Sequence, residues 1–262
     1  MALLAADHLM AALTTALACA ALALAASPLL SRLPEPAPEP EPESESEPKP
    51  DPEPAAADRL FSRTMPPPPE KIPYATLAAR RSFRTGVVAW SAAAGAAIAL
   101  ALGWTGALLY LVPLVPVCVV LLVVDWRTTF LPTRVIHPTY LGLAVLIPLA
   151  ALVDRDLDSL YRAGWGWLVV GGWFWVFWFV LRAWGFGDVR LARVLGPALG
   201  YLGWSHLVVG LFAMVLLGGL GGAVLTVVHR SLRRRYPYGP FMVVGAGLAV
   251  VSGPWLATSL GY

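Results

Sequence analysis

The chain has 262 residues, of which 58% are hydrophobic and only 13% are charged. Soluble domains are about half apolar and about a quarter charged, so this composition excludes an ordinary soluble domain, a disordered protein and a nucleic-acid binder with a basic face. The net charge of +3 hides an uneven distribution, because eight of the 16 acidic residues fall within residues 34–54. The two cysteines lie in apolar runs and form no Cys-x-x-Cys pair, which excludes a zinc site built from thiolates.

Apolar stretches long enough to cross a bilayer recur along the chain. A helix of roughly 20 apolar residues spans the hydrocarbon layer. The predicted spans cover residues of about 9–30, 87–103, 106–124, 135–153, 163–183, 191–204, 207–228 and 241–259. The sixth is short and starts with Arg190 and Arg193, so it is the weakest. We therefore predict an all-α polytopic membrane protein with about eight transmembrane helices.

The first apolar stretch has the length of a secretory signal peptide. It lacks a basic segment before its apolar part, carries Asp7 early, and is followed by its first cation only at Arg32. We interpret residues 1–30 as a retained transmembrane anchor with its N-terminus outside.

The basic residues predict the topology, because cytoplasmic loops are enriched in Lys and Arg. The segments 31–86, 125–134, 182–193 and 229–240 together hold 17 of the 19 cations. Every second loop is therefore basic. This pattern places these four segments in the cytoplasm and both termini outside.

Residues 31–73 differ from the rest of the chain. Their central part, 34–54, alternates Pro with Glu and has no apolar residue larger than Ala, so it cannot bury enough surface to offset the entropy of ordering. We predict a disordered, extended linker over 31–73, a short interfacial helix over 74–86, and a membrane-embedded domain over 74–262.

Five acidic residues lie between residue 74 and the end of the sequence: Asp125, Asp154, Asp156, Asp158 and Asp188. We interpret the group at 154–158 as a solvated acidic loop on the outer side. Asp125 ends the third predicted span, and Asp188 follows the fifth. Because the intervening chain crosses the membrane and returns, both carboxylates are expected on the cytoplasmic side. Ionisable groups at a membrane boundary are candidates for function.

Two adjacent carboxylates in a medium of low dielectric cannot both ionise easily. One can keep its proton and polarise a carbonyl while the other takes a proton from an attacking water. Gly185 and Gly187 would let the backbone bend and a substrate strand approach. The start of a helix at Asp188 would favour the charged form of that residue.

Three motifs resemble those of the type IV prepilin peptidases, which are membrane aspartic proteases of the Gly-x-Gly-Asp class. They are Asp125 followed by Leu131-Pro132, Gly185-Phe186-Gly187-Asp188-Val189-Arg190-Leu191 followed by Gly196 and Gly200, and Tyr236-Pro237-Tyr238-Gly239-Pro240-Phe241. The resemblance covers about residues 87–262. Gly-x-Gly-Asp alone is a weak pattern, but three motifs in order at span boundaries are specific.

The resemblance implies that Asp125 and Asp188 are catalytic and act on water without a metal or cofactor. It also implies that Gly185, Gly187, Arg190, Leu131 and Pro132 support the active-site loops. The substrates would be prepilin or pseudopilin precursors, whose leader peptide is cut at the cytoplasmic face of the bacterial inner membrane. Nucleic acid is not expected as a partner, whereas membrane lipid is.

The sequence departs from the family pattern in three respects, the first of which is that the first span and the linker keep the family's position but have no sequence that matches it. Arg190 stands where the family usually has Lys, and an arginine cannot donate a proton near neutral pH. Many members also carry a cysteine-rich, zinc-binding domain between their first two spans, which methylates the new N-terminus. Residues 31–86 contain no cysteine, so we expect peptidase activity without methyl transfer.

Two alternatives share features with this sequence. Presenilin-type proteases share Gly-x-Gly-Asp and carry Pro-Ala-Leu in a late helix, but here Pro197-Ala198-Leu199 follows Asp188 by only nine residues, and Val124 precedes Asp125 where those proteases usually have Tyr. The other alternative is a non-catalytic membrane protein, either a proton-coupled transporter or a silent assembly factor. A transporter is expected to hold its carboxylates near the bilayer midplane.

Overall fold

The computed structural model describes residues 2–30, 74–128, 131–181, 185–229 and 236–259. These residues form helices α1 Ala2–Leu30, α2 Tyr74–Ala79, α3 Arg81–Leu102, α4 Leu108–Thr128, α5 Thr133–Asp154, α6 Asp158–Leu181, α7 Phe186–Leu202, α8 Trp204–His229 and α9 Gly239–Ser259. No strand occurs within these ranges, which confirms the all-α class. The linker predicted over 31–73 lies outside the described residues.

Six of these helices, α1, α3, α4, α5, α6 and α8, are long and apolar enough to cross a membrane by length and composition. In α9 the apolar part is shorter, Gly239–Gly253. The weakest predicted span corresponds to α7, which has 17 residues and carries charged side chains in its first half. Each predicted span thus coincides with a long helix, and the chain is a polytopic membrane protein.

The short interfacial helix predicted over 74–86 was wrong in its extent. Helix α2 ends at Ala79, and Arg80 has an extended backbone with φ −71° and ψ 123°. Residues 81–86 instead form the first turns of α3, which continues without interruption to Leu102. The single extended residue at Arg80 is therefore the boundary between the two helices.

Helix α7 is fixed in the bundle by close packing against α6. Methyl groups added at Gly196 or Gly200 would overlap the backbone carbonyls of Gly166 or Arg162 in α6. Small residues of this kind allow two helix backbones to approach closely in a membrane. The Tyr110 hydroxyl of α4 also donates to the Ala198 carbonyl at 2.9 Å. The position of α7 matters because its first turn carries Asp188.

The carboxylate of Asp154 makes tertiary contacts at the end of α7 that is opposite to Asp188. The carboxylate of Asp154 accepts hydrogen bonds from the Gly106 N–H at 2.6 Å and from the Tyr201 hydroxyl at 2.8 Å. Asp156 pairs with Arg162 at 2.8 Å. Asp154 and Asp158 are exposed, as expected for a solvated loop, but the Asp154 side chain also joins the end of α5 to the segment before α4 and to the end of α7.

Candidate active site

Asp125 lies in the last turn of α4, and its side chain is buried, with 4% of its surface exposed. Its Oδ2 accepts a hydrogen bond from the Gly239 N–H at 3.0 Å. Gly239 begins α9, where the first backbone N–H groups have no partner within the helix. The third motif therefore supplies a backbone donor to the first aspartate.

Asp188 is the third residue of α7 and precedes the apolar part of that helix. It is 7% exposed, and its Oδ2 accepts a hydrogen bond from the Gly185 N–H at 3.1 Å. A carboxylate in the first turn that bonds back to the residue before the helix stabilises the helix start. The same contact fixes the orientation of the side chain.

The structure brings the two predicted aspartates together at one end of the bundle. Burial, and then the charge of Asp125, raise the pKa of Asp188 above its ordinary value, while the Gly185 N–H opposes this shift. The sequence suggested that the start of the helix would favour a charged Asp188. The net shift has the opposite direction, because removing a carboxylate from water costs more than one backbone donor returns.

Leu131 and Pro132 connect the two aspartates structurally. Both are buried, and Pro132 precedes α5 with an extended backbone of φ −68° and ψ 113°. A methyl group at Gly187 would lie 3.1 Å from the Leu131 Cβ. The segment that follows Asp125 therefore packs directly on the glycine that precedes Asp188, and position 187 leaves little room for a larger residue.

The side chain of Arg190 contacts Thr133 and Phe186 and makes no ion pair with Asp125 or Asp188 in the described part of the chain. Its guanidinium donates to the Thr133 hydroxyl and lies 4.7 Å from the centre of the Phe186 ring. Its carbonyl accepts a hydrogen bond from the Tyr140 hydroxyl at 2.6 Å. These contacts join the first turn of α7 to α5, so Arg190 supports the loop that carries Asp188.

Tyr238 is a site residue that the sequence did not single out beyond its place in the third motif. Its hydroxyl donates to the Met214 carbonyl of α8 at 3.1 Å, and its ring centre lies 5.8 Å from that of Phe174. Burial, and then the charge of Asp188, raise the pKa of Tyr238. Tyr238 therefore forms part of the apolar wall near the aspartates.

The arrangement is suited to acid–base chemistry on water. Two adjacent carboxyl groups, each oriented by a backbone N–H, can exchange protons with a water and a carbonyl. Within the described parts of the chain, no group of three His, Cys, Asp or Glu side chains is placed to hold a metal ion.

The fold and this carboxylate pair define a polytopic membrane protein with a buried acidic site at the end of its helices. Residues 112–226 match the model of the type IV leader peptidase family. The match covers 115 of the 262 residues, agrees with the resemblance drawn from the motifs and supports a peptidase activity. The match includes both aspartates and ends before the third motif. No curated protein and no solved structure matches the chain.

The raised pKa of Asp188 predicts a pH-dependent stability. A carboxyl group whose folded pKa lies above its unfolded value, about 3.9, stabilises the fold below that value and loses this contribution as the pH rises through the folded pKa. Asp188→Asn should therefore raise the melting temperature of the detergent-purified protein at neutral pH, and this gain should shrink as the pH falls toward about 4.

Intrinsic tryptophan fluorescence during heating provides the measurement. Asp158→Asn, which changes an exposed aspartate of α6, is the matched control and should follow the wild-type profile. If the melting temperatures of the wild type and Asp188→Asn differed by the same amount at every pH, the raised pKa of Asp188 would be contradicted.

Proposed function

We propose that this protein is a leader peptidase that cleaves type IV prepilin or pseudopilin precursors by means of an aspartate dyad. The buried pair formed by Asp125 and Asp188, within the segment that matches the family, carries this proposal. The cleavage takes place at the cytoplasmic face of the bacterial inner membrane. The basic residues near this end of the bundle, including Arg127 and Arg134, support that orientation.

In the proposed mechanism Asp188 holds the proton and Asp125 is the base. Asp125 removes a proton from water as the water oxygen attacks the scissile carbonyl carbon, and Asp188 donates its proton to the carbonyl oxygen. Collapse of the resulting diol breaks the C–N bond, returns a proton to Asp188 and transfers the proton on Asp125 to the leaving amine. The raised pKa of Asp188 supports this division of roles.

The position of the dyad also suits this class of substrate. Both aspartates lie at helix ends, in the last turn of α4 and the first turn of α7, and not in the middle of a span. A peptide bond just before an apolar substrate helix would reach this depth while that helix remains in the membrane. A proton-coupled transporter would instead place its carboxylates near the midplane.

The dyad assignment predicts that Asp125→Asn and Asp188→Asn each lower the rate of processing severely. Loss of one acid–base group should lower the rate at least about 100-fold, because such groups contribute roughly 10²–10⁴. Co-expression with a prepilin precursor, followed by immunoblotting for the shortened product, measures this loss. Asp158→Asn is the control and should process normally.

Normal processing by either dyad variant would contradict the assignment, and proton-coupled uptake lost in Asp188→Asn with processing intact would favour the transporter. Mass spectrometry of the new N-terminus adds a second readout. We expect an unmodified amine, since residues 31–86 contain no cysteine. Methylation that depended on this chain alone would disprove the peptidase-only proposal.

Substitutions at Gly239 and Gly185 test whether the space beside each aspartate is needed to position its carboxylate. A methyl group at position 239 would lie 2.7 Å from Asp125 Oδ2, whereas one at position 185 would lie 3.6 Å from Asp188 Oδ2, an ordinary contact distance. Gly239→Ala should therefore displace Asp125 and lower the processing rate by about 10²-fold, since shifts near 1 Å can have this effect. Gly185→Ala should keep most of the activity.

Rates for both glycine variants can be compared in membranes that hold equal amounts of each protein. If Gly239→Ala processes as fast as Gly185→Ala, the contact between Gly239 and Asp125 has no role in positioning the carboxylate.

A further inference from the structure

An apolar groove runs between α4 and α5. It has a volume of about 520 Å³ and is lined by residues of α4 between Tyr110 and Val120, by residues of α5 between Arg134 and Leu146, and by Ala26 of α1. The lining includes neither Asp125 nor Asp188. We call this feature the α4–α5 groove. Its volume lies within the range of about 300–1,000 Å³ that is usual for ligand sites.

The groove is long. The lining residues Arg134 and Leu146 are twelve positions apart on one helix, which corresponds to about 18 Å at 1.5 Å per residue. That length is slightly more than one leaflet of a hydrocarbon layer about 30 Å thick. A helix that crosses the hydrocarbon layer needs about 30 Å, whereas an acyl chain reaches only about one leaflet deep. The length of the groove therefore favours a hydrocarbon chain over a transmembrane peptide helix.

One end of the groove carries a positive charge. Arg134 is the only charged residue among those lining it, its side chain is exposed, and no ion pair joins it to another described residue. It lies in the first turn of α5, beside Thr133, which binds Arg190 at the aspartate end of the bundle. An arginine at the membrane surface above an apolar channel complements a phosphate joined to an acyl chain.

We propose that the α4–α5 groove binds one anionic glycerophospholipid, with an acyl chain between the two helices and the phosphate on Arg134. This proposal does not depend on the peptidase activity. It assigns a bound lipid to a face of the protein that is distinct from the dyad.

Gly142 allows the groove to be filled without disturbing the protein. It lines the groove, and a methyl group added there would meet no other atom within 4 Å. The side chain of Gly142→Leu would therefore extend into the space of the acyl chain. A methyl group added at Gly172 of α6 would also meet no other atom within 4 Å, so Gly172→Leu is a control that adds a leucine outside the groove. Arg134→Gln removes the charge and keeps a polar side chain.

The test uses the full chain in vesicles of equal parts phosphatidylglycerol and phosphatidylcholine with identical acyl chains. After extraction into a mild detergent, native mass spectrometry counts and identifies the retained lipids. The wild type and Gly172→Leu should retain one phosphatidylglycerol in preference to phosphatidylcholine. Gly142→Leu should lose it, and Arg134→Gln should lower the preference for phosphatidylglycerol about fivefold.

Three results would overturn the proposal: no retained lipid in the wild type, equal retention by Gly142→Leu and the wild type, or an unchanged lipid preference in Arg134→Gln. Precursor processing separates a lipid from a substrate helix in the groove. If Gly142→Leu kept its lipid and failed to process the precursor, the groove would hold the precursor's helix instead. If Gly142→Leu lost the lipid, the lipid proposal would be supported whatever the processing rate of this variant. If the dyad variants still processed the precursor, the proposed function would fail, but the lipid proposal would not be affected.

Discussion

The burial of two carboxyl groups side by side is the constraint on which this structure depends. Asp125 and Asp188 are 4% and 7% exposed, and neither can be desolvated cheaply in its charged form. Each receives one backbone N–H, from Gly239 and Gly185 respectively. These donors come from helix starts, where N–H groups lack partners within the helix. The site thus uses helix ends to hold charge at the edge of an apolar bundle.

Three helices must be positioned for this arrangement to form. Helix α4 carries Asp125, α7 carries Asp188, and α9 supplies the N–H of Gly239. Helix α7 is fixed by close glycine contacts with α6. Tyr110 of α4 and Tyr140 of α5 also donate hydrogen bonds to backbone carbonyls of α7. At the opposite end, Asp154 ties the same helix to α4 and α5. The carboxylate pair therefore depends on contacts along the whole height of the bundle.

Much of this arrangement could be predicted from the sequence. The apolar stretches are long and the acidic residues few, so helix positions follow from length and the candidate pair follows from elimination. The contact of Gly239 with Asp125 was not predictable in the same way, because any residue has a backbone N–H and the sequence carries no sign of where it points. The contacts of Asp154 depend on tertiary packing for the same reason. For Asp188, the position at a helix start was visible, but burial by the surrounding helices was not, and burial dominates its pKa.

The electrostatic coupling of the two aspartates is most directly tested by observing the titration of Asp188 itself. Isotope-edited infrared spectroscopy of the protonated carboxyl group can follow this titration in the purified wild type and in Asp125→Asn, with Asp188→Asn identifying the band. If the charge of Asp125 helps to raise the pKa of Asp188, Asp125→Asn will move the titration to lower pH. A titration that stays at the same pH in Asp125→Asn would contradict the coupled pair.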